Sequence, residues 1–263
     1  MSLLKRLFGG GEKTAAPATP AAEVPADPRA EVQKARDAAR VIRRQREPLK
    51  WAEAQQLLAN ALIQYAAVQT GGSAVSSLEE AESCLYDATD AAGPDANPGF
   101  LASMYNLWGY AAYRRAARLD GDAKGQALAD AANRFTDALD KITPETQRAL
   151  WIDIGFYRGA AYQELALLKG DAGGAPWLDE AAAAFRAVAE RGTEDGSVHP
   201  IAAYNMSVVL RDRARLATGG VKRATLQDAR RWLAIAAESS VFPNPDQLRQ
   251  QLVALDSEIA AIS

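Results

Sequence analysis

Two side chains in this sequence are alone in their type and belong to the groups that most often carry out chemistry, Cys84 and His199. A thiol beside an imidazole is a nucleophile with its base, and several of either with carboxylates make a zinc site. With one of each, an internal disulfide is impossible and a Cys/His zinc set lacks ligands. Cys84 directly precedes Leu85 on a helical apolar stripe, where a small thiol packs. His199 stands before Pro200, at a helix start, as a solvated capping-region residue. A hydrolase triad needs histidine as the proton carrier beside serine or cysteine, and no nucleophile elbow is present to pair with it. The carboxylate pairs Glu79/Glu80 and Asp179/Glu180 are adjacent in sequence and point in different directions from a helix, so they form no acid/base pair. Asp120, Gly121 and Asp122 open like a calcium loop, but Ala131 occupies the place of the bidentate glutamate. The glycine-rich stretch from Gly9 to Thr14 lacks the spacing and preceding strand of a phosphate loop. The sequence therefore predicts a protein that is not an enzyme and that takes no cofactor or metal.

What the chain does carry is a repeat. The pattern Leu-x-x-Ala-x-x-x-(Leu/Phe)-x-x-(Ala/Val) starts at Leu78, Leu128, Leu178 and Leu226, and nineteen residues before each start stands a small residue, Ala59, Gly109, Gly159 or Ser207. Helix, glycine turn, helix, proline stop is the order within each copy. A period of 48 to 50 residues signals helix pairs that cannot bury their apolar faces alone and must stack on neighbours. The spacing predicts turns at 70–72, 120–122, 170–174 and 219–220, with second helices starting at Ser76, about Lys124, Pro176 and about Thr225. Small residues in the first helix, paired with Ala81, Ala131, Ala181 and Ala229 in the second, let the two approach closely. Trp108, Tyr162, Phe135 and Phe185 then fill the flanking space.

On these residues the chain resembles the tetratricopeptide repeat family, in a long-repeat form. The likeness is sharpest from Pro48 to Leu62, with its Trp51, Ala52, Gln55, Leu58 and Ala59, and in the Leu-Glu-Glu-Ala run from Leu78 to Ala81. Usual units of that family span about 34 residues, so helices or turns are longer here. The resemblance implies an all-α fold: a right-handed α-solenoid of about four helical hairpins with a C-terminal capping helix. It further implies a protein or peptide partner held in the concave groove of the first helices. Counted from the small residues, the groove positions are Gln56, Asn60, Asn106, Tyr110, Tyr113, Phe156, Gln163, Tyr204 and Arg211. Aromatic rings give contact area at little entropic cost and amides bond an extended backbone. Family members that hold acidic chaperone tails place lysine and arginine with asparagine in the groove. No lysine stands at these positions, so an acidic tail is not the expected ligand.

The expected organisation is a tail over 1–30, a leading basic helix over 31–47, repeats at about 48–97, 98–143, 144–197 and 198–243, and a capping helix over 244–263. The tail pairs an octapeptide, whose Leu3, Leu4, Leu7 and Phe8 share a helical face, with an Ala/Pro linker. Lys5 and Arg6 interrupt its apolar run, which excludes a secretory signal, and no stretch is long enough for a membrane span. This predicts a cytoplasmic protein, with the octapeptide as a weak peripheral membrane or partner anchor. A net charge of −3 gives no global attraction for nucleic acid, and the arginine stripe from Arg36 to Arg46 lacks the aromatics that stack on single strands. Hydrophobic and charged shares of 48% and 24% are those of an ordinary globular protein. Abundant alanine, with arginine favoured over lysine, fits a GC-rich bacterial genome. The functional expectation is a non-catalytic scaffold or adaptor; the alternative is a structural subunit that self-associates.

Overall fold

Proline and short polar side chains fix where the helices begin. Proline lacks an N–H and has a preset φ, which suits a first helical turn, and it occurs there at Pro28, Pro48, Pro98, Pro144, Pro200 and Pro245. Asp27, Asn97 and Asn244 accept the free amides of Ala30, Phe100 and Gln247 at 3.0, 3.2 and 3.3 Å, the N-cap bond that satisfies an orphan donor. The computed structural model describes residues 27–262. Among them it holds ten α-helices and no strand: α1 (Pro28–Val41), α2 (Pro48–Val68), α3 (Gly71–Ala92), α4 (Pro98–Ala116), α5 (Gly121–Leu139), α6 (Pro144–Gly173), α7 (Ala175–Arg191), α8 (Pro200–Arg215), α9 (Gly219–Ala237) and α10 (Pro245–Ala260).

The fold is all-α and solenoid-like, with helices packed on their chain neighbours as repeated hairpins. Two compact units meet in sequence inside α6, between Tyr157 and Arg158. In the first, α1 lies on α2, α2 pairs with α3, α3 packs on α4, α4 pairs with α5, and α2 also touches α4. In the second, α7 packs on α8, α8 pairs with α9, and α9 packs on α10. The periodic leucines and alanines form the interiors: Leu78, Ala81, Leu85, Leu128, Ala131, Phe135, Leu226, Ala229 and Leu233 are all buried.

The second helices begin earlier than the sequence reading placed them, at Gly71, Gly121 and Gly219 instead of 76, 124 and 225. The glycines are the first helical residues, not loop. Thr70, Asp120 and Thr218 are extended, and the glycine after each takes a φ of +60°, +56° or +53°, which turns the chain at once into the returning helix and is costly for any residue with a Cβ. Gly170 repeats the device at φ +62°. Eight residues separate it from Leu178, where seven separate the others from their leucines, and the third hairpin accommodates the extra residue with a break at Gly174, before α7.

Close approach within hairpins shows at two further glycines. A Cβ on Gly109 would lie 2.8 Å from the Phe135 ring, and one on Gly159 would lie 2.7 Å from the Phe185 ring. The first and fourth hairpins have Ala59 and Ser207 at this place, and there the residue opposite is Leu85 or Leu233. Glycine goes with phenylalanine and a larger small residue with leucine, so the pair conserves volume.

Both terminal helices are tied down by charge as well as by apolar contact. The sequence reading began the leading helix at residue 31 and ran it to 47, but 28–30 already form its first turn and it ends at Val41. Val32 and Ala39 face inward, Arg36 pairs with Glu80 at 2.6 Å, and Arg44 pairs with Asp90 while lying over Trp51. Two arginines of the basic stripe are thus spent on α3. At the other end α10 buries Leu248 and Leu255, half-buries Leu252 and Ile259, and pairs Asp256 with Arg230 and Glu258 with Lys222 of α9. Between α3, α4 and α5, Arg115 bonds Glu82 through both carboxylate oxygens at 2.7 and 3.2 Å and reaches Asp130 at 3.5 Å.

Gly109→Ala is expected to destabilise the protein by about 1–2 kcal/mol, overpacking outweighing the gain in helix propensity. Adding Phe135→Leu, the combination already present in the first hairpin, should recover most of that loss in a double-mutant cycle read by urea unfolding. The Arg115–Glu82 pair gives a pH signature. Burial pushes the Glu82 carboxyl above its ordinary value, with Arg115 pulling the other way. Arg115→Met should therefore cost about 2–4 kcal/mol at neutral pH. A raised folded-state pKa favours folding below the unfolded value and opposes it above, so the deficit should shrink as the pH is lowered and Glu82 takes up a proton.

Candidate interaction face

The groups singled out for chemistry lie in a helix interior, at a helix start and in a hairpin turn. Cys84 sits on α3 in the interior, and burial, with Glu80 and Asp87 adding to it, pushes its thiol up to about 12, so the thiolate is scarcely populated at neutral pH. His199 precedes α8; its backbone N–H donates to the Ala189 carbonyl at 2.9 Å, and burial lowers its pKa. Asp120 and Gly121 form the second hairpin turn. No group of three or more His, Cys, Asp or Glu among the described residues could hold a metal ion.

The polar first-helix positions are better organised. In the first unit Gln56 of α2 donates from Nε2 to Ser103 Oγ of α4 at 2.9 Å, which locks two first helices side by side. Asn60, one turn further on α2, is exposed. On α4 the residues one turn apart are Asn106, Tyr110 and Arg114, and Arg118 follows just past the helix end, a single ridge by the i, i+4 rule. Asn106 is half-buried, and its Oδ1 is shielded from solvent with no hydrogen-bond partner among the described residues. Tyr110 Oη accepts from Arg114 Nη1 at 2.8 Å, and the Arg114 guanidinium leans over the same ring, 5.6 Å from its centroid.

Tyr157 of α6 anchors the aromatic part of this face. It meets Tyr110 edge-on at 5.2 Å and Tyr113 at 6.0 Å, and it stacks at 5.8 Å on Phe135, the ring that covers Gly109. The hairpin's packing pair and the surface tyrosines are thus held by one ring. The sequence reading missed Tyr157, Ser103, Arg114 and Arg118. The signal available was the four-residue step from Asn106, which counting from the small residue followed only as far as Tyr110 before moving to Tyr113.

In the second unit two of the expected positions are buried. Tyr204 is 3% exposed, packed at 5.6 Å against Phe242, because the segment leading into α10 covers it. Gln163 is 7% exposed and turns to Asp212, 3.4 Å away, joining α6 to α8. Neither side chain offers surface to a partner. Phe156 and Arg211 are half-buried. Leu3, Leu4, Leu7 and Phe8 lie outside the described residues.

A concavity of about 500 Å³ opens between α3, α4 and α5, lined by Tyr86, Tyr105, Trp108, Arg134 and Lys141 among others. Its groups are largely committed to one another: Arg134 lies 4.1 Å over the Trp108 ring and pairs with Asp137 at 2.6 Å, while Tyr105 and Tyr86 stack on and abut the same indole. Asn106 Oδ1 on the α4 ridge is one of several shielded polar atoms without a hydrogen-bond partner among the described residues.

Among the described residues no helix is long and apolar enough to cross a membrane. No protein-family model matches the chain, and no curated protein matches it either.

A buried acceptor without a partner costs roughly 1–3 kcal/mol. Asn106→Leu, which removes it, is therefore expected to raise the unfolding free energy by about 1 kcal/mol in urea titrations, where replacing a satisfied polar side chain would lower it.

Proposed function

We propose that the protein is a non-catalytic interaction module of the tetratricopeptide kind, an adaptor that binds an extended segment of a partner protein along the faces of α2 and α4. The observation that carries this reading is the pairing of first helices by Gln56 and Ser103, with the unsatisfied Asn106 Oδ1 on the ridge beside them. An extended peptide offers one backbone N–H after another, and the half-buried Asn106 side chain can accept one of them by a rotamer change that brings Oδ1 out of its shielded position. Rigid rings at Tyr110 and Tyr113, braced by Tyr157, supply contact area that loses little entropy on binding. Residues that weaken a fold locally are those a binding site retains, and Asn106 fits that description.

Selection of a random peptide display library on the full chain tests this. Captured peptides should bind the wild type and lose about tenfold or more in affinity with Asn106→Ala combined with Tyr110→Ala, each variant being checked for an unchanged helical signal. Capture of no peptide, or of peptides indifferent to these substitutions, would overturn the reading.

A further inference from the structure

Charge is divided unevenly along the chain. The first fifty residues contain eleven Lys and Arg against six Asp and Glu, a net +5, while the remaining residues carry a net −8. Such an asymmetry marks one end of a chain for contact with an anionic surface. In the fold the excess gathers at the corner between α1 and α2. The N–H groups of Arg46 and Glu47 both donate to the Arg43 carbonyl at 3.0 Å, so one tight turn carries Arg43, Arg44 and Arg46. Arg44 turns inward to Asp90 and Trp51 and fastens the corner to the fold. Arg43 and Arg46 are exposed and form no ion pair among the described residues. The carboxylate beside them, Glu47, is taken by Lys50, and Arg40 has only an exposed pairing with Asp37. Two apolar side chains flank these cations, Val41 at 79% exposure and Leu49 at 50%. Arginines interleaved with exposed aliphatic groups are the composition of a membrane-surface contact.

We propose that the α1–α2 corner docks on an anionic lipid bilayer. Arg43 and Arg46 meet the headgroups, Val41 and Leu49 enter the interface, and the octapeptide of residues 1–8, which lies outside the described residues, makes a second attachment to the same leaflet. This goes beyond the adaptor reading and does not depend on it. Neither attachment suffices alone. A short apolar peptide whose cations are Lys5 and Arg6 binds a bilayer weakly and reversibly, and stable anchoring takes a second signal such as a basic patch. Headgroup attraction falls off within a Debye length, so the patch must reach the surface itself. The covalent reach allows both contacts at once. Residues 9–26 span at most about 60 Å, and the corner stands one α1 length from Asp27, roughly 21 Å for its fourteen residues. On one chain, each contact raises the effective concentration of the other at the surface. A bilayer is favoured over a nucleic acid because the corner offers aliphatic groups where single strands need aromatic stacking platforms.

Co-sedimentation of the full chain with vesicles tests this. Binding is expected on mixed phosphatidylglycerol/phosphatidylcholine vesicles, should fall steeply as salt is raised, and should be weak on phosphatidylcholine alone. Arg43→Ala with Arg46→Ala should lower the partition coefficient by about tenfold, Arg43→Lys with Arg46→Lys should keep most of it, and R43E/R46E should abolish binding. Val41→Ser with Leu49→Ser should weaken binding at every salt concentration. Deleting residues 1–8 should cost a factor similar to the alanine pair, and the two combined should leave only the level on phosphatidylcholine. Since both arginines are exposed, the alanine variant should keep the helical signal and urea midpoint of the wild type, which separates lost binding from lost fold. Absence of binding to the mixed vesicles, equal binding to both kinds, or dependence on the octapeptide alone or on the corner alone would overturn the proposal. Oligothymidine held through the same arginines more tightly than the mixed vesicles would overturn the ligand class.

Discussion

Everything in this protein follows from how closely the two helices of a hairpin can approach. At Gly109 and Gly159 there is no room for a methyl group beneath the facing phenylalanine ring. With the ring seated on bare backbone, the second helix lies deep enough to bury its whole leucine and alanine stripe. A hairpin closed in this way still has an apolar flank, and only the next hairpin covers it. The glycine at positive φ between the helices serves the same end. It returns the chain within one residue, so the two helices stay in register along their length and neither spends a turn on a connecting loop.

This geometry decides which side chains can meet a partner. Interior volume is taken by second-helix residues and by the inner side of the first helices, leaving the outer ridges of α2 and α4 parallel and bridged by Gln56 and Ser103. Tyr157 couples the two levels, touching Phe135 inside and Tyr110 and Tyr113 outside. A change in the packing pair would therefore be felt at the face. Elsewhere charge is matched across elements, as Arg36, Arg44 and Arg115 show with their partners on neighbouring helices. Such pairs add little stability where they are exposed, but they orient the leading helix on α3.

The architecture was legible because the period and the small residues are direct consequences of helix packing. Ala59, Gly109, Gly159 and Ser207 stand at fixed distances from the leucines they approach, and spacing of that kind survives without any knowledge of three-dimensional contacts. Boundaries were less legible. A glycine after threonine or aspartate reads as loop, whereas Gly71, Gly121 and Gly219 each begin a helix, since a single left-handed residue is sufficient to turn the chain. The face was half legible. Register placed Asn60 and Tyr110 on the first helices, but register cannot see what a later segment covers, and Phe242 closes over Tyr204. Nor could counting from the small residue reach Arg118, which lies past the last helical residue of α4 and owes its position to the Ala66 carbonyl.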